Sequence, residues 1–86
     1  MKEFKYTVTD ELGIHARPAG LLAKLAKTFA DTTVTITKDG TTVKASQLMK
    51  LMSLGVKQGN EVTVAADGPN QDEAIAAMEA FFKENL

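Results

Sequence analysis

The residues best equipped for chemistry lie together in Gly13-Ile14-His15-Ala16-Arg17-Pro18-Ala19, between the end of a predicted strand and the first turn of a predicted helix. A helix start presents backbone N–H groups with no acceptor one turn back. The aligned peptide dipoles leave a partial positive charge there, so a phosphate-like anion is well received. Arg17 adds a planar guanidinium that can grip such an anion at two points. His15, the only histidine of the chain, supplies a ring nitrogen that is nucleophilic at neutral pH. Phosphorylation at that nitrogen would put the transferred group where these donors converge. Taken alone, a single histidine is more often a surface residue or a helix cap, with Arg17 merely solvated.

The elements that must position these residues are legible in the hydrophobic spacing. Phe4, Tyr6 and Val8 alternate with Lys5, Thr7 and Thr9, which predicts a half-buried first strand ending near Asp10. Pro18 suits the first turn of a helix. Leu22, Leu25, Ala26 and Phe29 then recur at helical spacing, so a first helix runs to about Lys27. Thr33 to Thr37 alternates with β-branched residues, and Lys38-Asp39-Gly40-Thr41 supplies a hairpin turn into a short strand over 42–45. Ser46 is placed to cap a brief second helix with Leu48, Met49, Leu51, Met52 and Leu54, more apolar surface than one buried stripe needs, and Gly55 ends it. Glu61 to Ala65 forms a fourth strand. Asn70 and Glu73 resemble a capping box ahead of a last helix whose stripe is Ala74, Ile75, Met78, Phe81 and Phe82. The order βαββαβα predicts a single α+β domain over residues 1–86. It is a two-layer open-faced sandwich, with a four-stranded antiparallel sheet and three helices on one face.

Composition narrows the function. With no cysteine and one histidine, disulfide scaffolds, thiol chemistry and a multi-histidine metal centre within one chain are excluded, so no metal site is expected. No apolar run approaches the ~20 residues needed to span a bilayer. The start, Met1-Lys2-Glu3-Phe4, has no secretory character, so a cytoplasmic protein without membrane insertion is expected. A net charge of -1 is too even for a protein that binds nucleic acid by neutralising phosphates. The charge is nevertheless divided along the chain. Residues 14–57 carry seven bases against Asp31 and Asp39, whereas residues 58–86 carry six acids against Lys83. Such a domain can be steered toward an acidic partner, although solvated faces explain the same division.

The Gly-Ile-His-Ala-Arg-Pro-Ala heptapeptide closely resembles the active-site signature of the HPr family, the histidine-containing phosphocarriers of the bacterial sugar phosphotransferase system. Met52-Ser53-Leu54-Gly55 and Asn60-Glu61-Val62-Thr63-Val64 extend the resemblance over essentially the whole chain. It implies that His15 accepts a phosphoryl group through its δ1 nitrogen from phosphorylated enzyme I and passes it to enzyme IIA components of sugar uptake systems. Arg17 and the amides of Ala16 and Arg17 would stabilise the phosphoryl oxygens. It implies a relay with a transient phosphohistidine, not a free-standing turnover enzyme, with no cofactor of its own and working as a monomer. The family's partner surface maps onto Ala16, Gly20, Leu21, Lys24 and Lys27 on the first helix and Leu48, Met49 and Met52 on the second, with Lys50 in the basic rim. Leu51 and Leu54 are expected in the core.

Two departures from the family stand out. Gly20 replaces a common alanine inside the first helix, at a cost of up to ~1 kcal/mol. Many Gram-positive members carry a serine phosphorylated by HPr kinase at the start of the second helix. Ser46 is the candidate regulatory phosphosite by number. Counting back from Met52-Ser53-Leu54-Gly55, however, sets Gln47 at the serine position and Ser46 at that of the preceding lysine, which makes HPr kinase a doubtful partner. Other function classes fit less well. An RNA-binding sheet would need paired exposed aromatics, and only Phe4 and Tyr6 are available. A hydrolase would need a carboxylate partnered with His15, and none is evident in the sequence. The main alternative is an HPr-like regulatory phosphorelay that controls nitrogen or carbon metabolism without sugar transport.

Overall fold

The computed structural model describes residues 1–86. Its elements are β1 (Lys2–Thr7), α1 (Ala16–Lys27), β2 (Thr33–Lys38), β3 (Thr41–Lys44), α2 (Leu48–Ser53), β4 (Glu61–Asp67) and α3 (Gln71–Asn85). The strands form one antiparallel sheet in the order β1-β4-β2-β3. The expected open-faced sandwich is therefore present.

Alternation sets the two faces. Val34 and Ile36 on β2 and Val62, Val64 and Ala66 on β4 point into the helical layer and are buried, while Thr33, Thr35, Thr37 and Thr63 point the other way and stay partly or fully accessible. Helix α1 buries Ala19, Leu22, Ala23 and Ala26, α2 buries Leu51, and α3 buries Ala74, Met78 and Phe82. Phe82 is the centre of this layer. The rings of Phe4, Tyr6 and Phe81 meet it edge to face at centroid distances of 5.9, 5.4 and 6.2 Å, and burial of such a side chain contributes about 1.5–3 kcal/mol. Phe4 and Tyr6 are thus turned toward the helices and give no stacking platform on the open threonine-rich face. Asp39 and Gly40, both with positive φ (50° and 82°), make the two-residue turn joining β2 to β3.

Two boundaries and one helix cap differ from the sequence expectations. Strand β1 ends at Thr7 instead of Asp10, because Val8 bonds with Asn60 and Gly59, and the amides of Thr9 and Asp10 turn to the Leu86 carbonyl oxygen. Gln47, not Ser46, is the N-cap of α2, and no side chain caps it. Asn70 is the N-cap of α3 without a capping box. Its amide Nδ2 donates to both Asp31 carboxylate oxygens at 3.0 Å, and its backbone N–H donates to Thr32 Oγ1 at 3.1 Å. The side chain expected to cap α3 instead ties that helix to the loop before β2, and Asp72 and Glu73 meet the helix dipole in its first turn.

Candidate functional site

The loop leading to His15 is held by its own backbone. Asp10 Oδ1 accepts the Leu12 N–H at 2.8 Å and the Asp10 carbonyl accepts the Gly13 N–H at 3.0 Å, which makes a tight turn. Gly13 has φ +65°. A Cβ there would collide with the Val56 carbonyl oxygen and lie 2.7 Å from Lys57 Cα, so only glycine allows this approach. The next residue, Ile14, is buried and donates its N–H to that same carbonyl at 3.1 Å, fixing the loop to the segment between α2 and β4.

His15 follows as the N-cap of α1 with extended backbone (φ -102°, ψ -174°), and its carbonyl accepts the Ala19 N–H at 2.9 Å. The backbone does the capping and the imidazole forms no capping bond, so the ring is left uncommitted. Ala16 and Arg17 head the helix with amides that have no carbonyl one turn back, and Pro18 has no N–H to offer. No acidic residue sits in the first turn to quench its positive end, while Lys24 and Lys27 lie in the last turn. Arg17 is exposed and takes part in none of the chain's four ion pairs. Its guanidinium is therefore available to an incoming anion.

A shallow cleft of about 240 Å³ brings His15 and Arg17 together with Pro18, Leu21, Asp10, Glu84 and Asn85. The last three were missed by sequence reasoning. Asp10 Oδ1 lies 4.0 Å from His15 Nε2, five positions away in the chain. The clue available in the sequence was an acid and a glycine in one loop, which allows the backbone to fold back on itself. Glu84 and Asn85 arrive from the far end of the chain, because the Leu86 carbonyl oxygen accepts the amides of Thr9 and Asp10 and the Thr9 hydroxyl. Nothing in the spacing signals that closure.

The residues expected at the partner surface fall on neighbouring helices, since α1 packs against α2. Ala16, Lys24, Lys27 and Lys50 are exposed. Leu21 is 45% exposed, and on α2 Leu48, Met49 and Met52 are 39, 75 and 41% exposed, far more than core side chains allow. Leu12, at 70%, joins them from the loop before His15 and was not anticipated. Leu51 is fully buried and Leu54 packs partly buried against the core, as expected. Gly20 is half-buried, and a Cβ there would meet nothing within 4 Å, so no packing constraint inside the chain requires glycine. Ser46 is half-buried beside Lys27 and Lys44 in a groove at the other end of α1 from His15. No helix of the chain is long and apolar enough to cross a membrane.

Comparison with known proteins agrees with this geometry. Residues 2–84 match the family model of the PTS HPr component phosphorylation site. The chain is 36% identical over 85 residues to phosphocarrier protein HPr of Mycoplasma genitalium, covering 99% of this chain and 97% of that protein. A solved mycoplasma histidine-containing phosphocarrier protein superposes with a TM-score of 0.92 at 35% identity, over 96% of this chain and 93% of that one. An HPr dimer from Thermoanaerobacter tengcongensis gives 0.76 at 38% identity, over 98% and 95%.

Proposed function

Since the chain belongs to the HPr family of phosphocarriers of the phosphotransferase system, we propose that His15 accepts a phosphoryl group from phosphorylated enzyme I and delivers it to enzyme IIA components of sugar uptake systems in the cytoplasm. One observation carries this reading: His15 caps α1 through its backbone alone, which leaves the imidazole free beside two open amides and an unpaired Arg17. The Nδ1 lone pair attacks phosphorus as the bond to the donor atom of enzyme I breaks, and its electron pair leaves on that atom. Charge on the equatorial oxygens meets the Ala16 and Arg17 amides and the Arg17 guanidinium. Such a transfer depends mainly on positioning and charge stabilisation, so a small protein without a deep pocket suffices as a relay and no cofactor is called for. All the residues invoked come from one copy, so a monomer is the working unit in this reading, although an HPr relative has been solved as a dimer.

Docking is assigned to Ala16, Gly20, Leu21, Lys24 and Lys27 of α1 and to Leu48, Met49 and Met52 of α2. Adaptable methionines within a basic rim suit a carrier that must meet several acidic partners. Met49→Glu, at a position 75% exposed, is expected to weaken binding to enzyme I by about 10-fold, as loss of an interface contact of over 1 kcal/mol does. The melting temperature should not move. Titration calorimetry with a parallel thermal melt tests this, and a destabilised protein with unchanged affinity would return Met49 to the core.

Regulation through Ser46 is not expected. Gln47 at the N-cap of α2 offers no hydroxyl, and Ser46, half-buried one position earlier, lies in the turn ahead of the helix beside Lys27 and Lys44. Incubation with ATP and HPr kinase followed by mass spectrometry should find Ser46 unmodified. Stoichiometric phosphate there would overturn the one-residue shift.

Incubation with enzyme I, labelled phosphoenolpyruvate and a panel of enzyme IIA proteins tests the main reading. Acid-labile phosphate that moves on to an enzyme IIA domain is the expected result. Uptake with no onward transfer to any sugar component would favour the regulatory phosphorelay of nitrogen or carbon metabolism, and no uptake at all would refute both.

A further inference from the structure

We propose that Asp10 is a positioning residue for His15: its carboxylate draws the imidazole proton to Nε2 and thereby leaves the lone pair on Nδ1, the nitrogen that attacks phosphorus. This deepens the reading of His15 as phosphoryl acceptor and rests on it.

Asp10 is not a floating surface acid. Its own N–H donates to the Leu86 carbonyl at 2.9 Å, its carbonyl accepts from Gly13 at 3.0 Å and its Oδ1 accepts from Leu12 at 2.8 Å. These bonds hold both the backbone and the carboxylate, and the side chain is only 33% accessible. Of the two imidazole nitrogens, it is Nε2 that faces this oxygen, at 4.0 Å. A neutral imidazole carries one proton and one in-plane lone pair, while a carboxylate only accepts. With the proton on Nε2 the N–H dipole points at the carboxylate. With the proton on Nδ1 the Nε2 lone pair would face a negative oxygen. The partner of one ring nitrogen in this way decides the state of the other, as carboxylates do for metal-bound histidines. The separation exceeds a direct hydrogen bond, so the coupling in the free protein is electrostatic, and a small rotation of the half-exposed ring closes it when a partner docks.

The other charges in the cleft are compatible with this role. Arg17 is paired with no carboxylate, Glu84 makes no ion pair with the ring, and the imidazole is the group that Asp10 faces. During transfer Nδ1 gives its lone pair to phosphorus, the bond from phosphorus to the donor atom breaks with its electrons leaving on that atom, and the proton on Nε2 stays. The ring then carries the positive charge of a doubly substituted imidazole. The carboxylate lies at its Nε2 edge, away from the phosphoryl oxygens that Arg17 and the helix amides receive. Asp10 thus favours the reactive tautomer before transfer and balances the ring charge after it.

Asp10→Asn separates this role from that of the turn, because the amide oxygen can still accept the Leu12 N–H while the negative charge is gone. The tautomer ratio is read from long-range ¹H–¹⁵N NMR of His15 at roughly pH 9, where an ordinary imidazole is neutral. The variant should shift the population from Nε2–H toward Nδ1–H by on the order of threefold and slow phosphorylation by enzyme I by about 10-fold, the lower range for loss of an orienting partner. An unchanged ratio overturns the proposal, as does a shifted ratio with an unchanged rate. Asp10→Glu, which keeps the charge, should restore part of the ratio even where the turn loosens. The unphosphorylated protein gives the NMR result, so a parent that accepts no phosphate would refute the phosphocarrier reading on the rate measurement alone, while the ratio still decides the coupling of Asp10 to the ring.

Discussion

A His15→Ala protein is expected to fold like its parent and to take up no phosphate from phosphorylated enzyme I. The two halves of this expectation rest on different observations. For folding, the imidazole makes no capping hydrogen bond and its side chain is 35% accessible. The capping contact of residue 15 is a backbone carbonyl that alanine also possesses. The loop before it is held by Asp10, Gly13 and Ile14, none of which contacts the ring through its backbone bonds. The stability change should therefore stay within about 0.5 kcal/mol, as for surface substitutions that break no cap or network. For transfer, the chain has one histidine and no cysteine, so neither a second imidazole nor a thiol remains to take its place. Loss of the nucleophile should remove at least about 10⁴-fold of the rate, which is total in practice. Intact-mass measurement at alkaline pH after incubation with enzyme I and phosphoenolpyruvate reads the phosphate directly. An added phosphoryl group on the variant would show that another residue is the acceptor.

The parts of the site that could be read from the sequence are those fixed by local rules. Pro18 marks a first helical turn because a missing N–H costs nothing there, and the backbone donors of α1 follow from that placement. Gly13 belongs to the same stretch for a reason visible only in the fold, since the contact it permits is with Val56, more than forty residues on. Alternation identified β2 and the half-buried face of β1, and the helical stripe through Ala74, Met78 and Phe82 identified α3. In each of these the residues that determine the element are its own.

What escaped was set by distant chain segments. Asn70 has the side chain of a good cap, yet the Asp31 carboxylate lies close enough to take both of its bonds, and a charge-assisted pair outcompetes a bond to a helix amide. Strand β1 loses its last predicted residues because Leu86 offers an acceptor to Thr9 and Asp10. The same contact draws Glu84 and Asn85 into the cleft and holds Asp10 beside the imidazole. One closure of the chain ends thus accounts for both the misplaced strand end and the missed acidic residues of the site.

Arg17→Ala should separate function from stability more sharply than any other change at the site. The guanidinium is exposed, forms no ion pair, and sits at the second position of a helix in which arginine and alanine have nearly equal propensity. Its removal should leave the thermal midpoint within a few degrees of the parent, the range of ~0.5 kcal/mol in a domain of this size. Transfer is another matter. The phosphoryl oxygens would retain the Ala16 and Arg17 amides but lose the only mobile cation in the cleft, where the carboxylates of Asp10 and Glu84 also lie. Removal of one preorganised donor to a developing anion costs about 10 to 1000-fold in rate, or ~1.4–4 kcal/mol of transition-state stabilisation. Because no other lysine or arginine lines the cleft, the upper part of that range is expected. Arg17→Lys should fall between the two, because an ammonium keeps the charge but cannot hold two oxygens in the plane of a fork. Quench-flow measurement of phosphate arrival from enzyme I on the three proteins gives the order directly. Equal rates for parent and Arg17→Ala would remove Arg17 from the transfer step, and equal rates for Lys and Arg would reduce its part to charge alone.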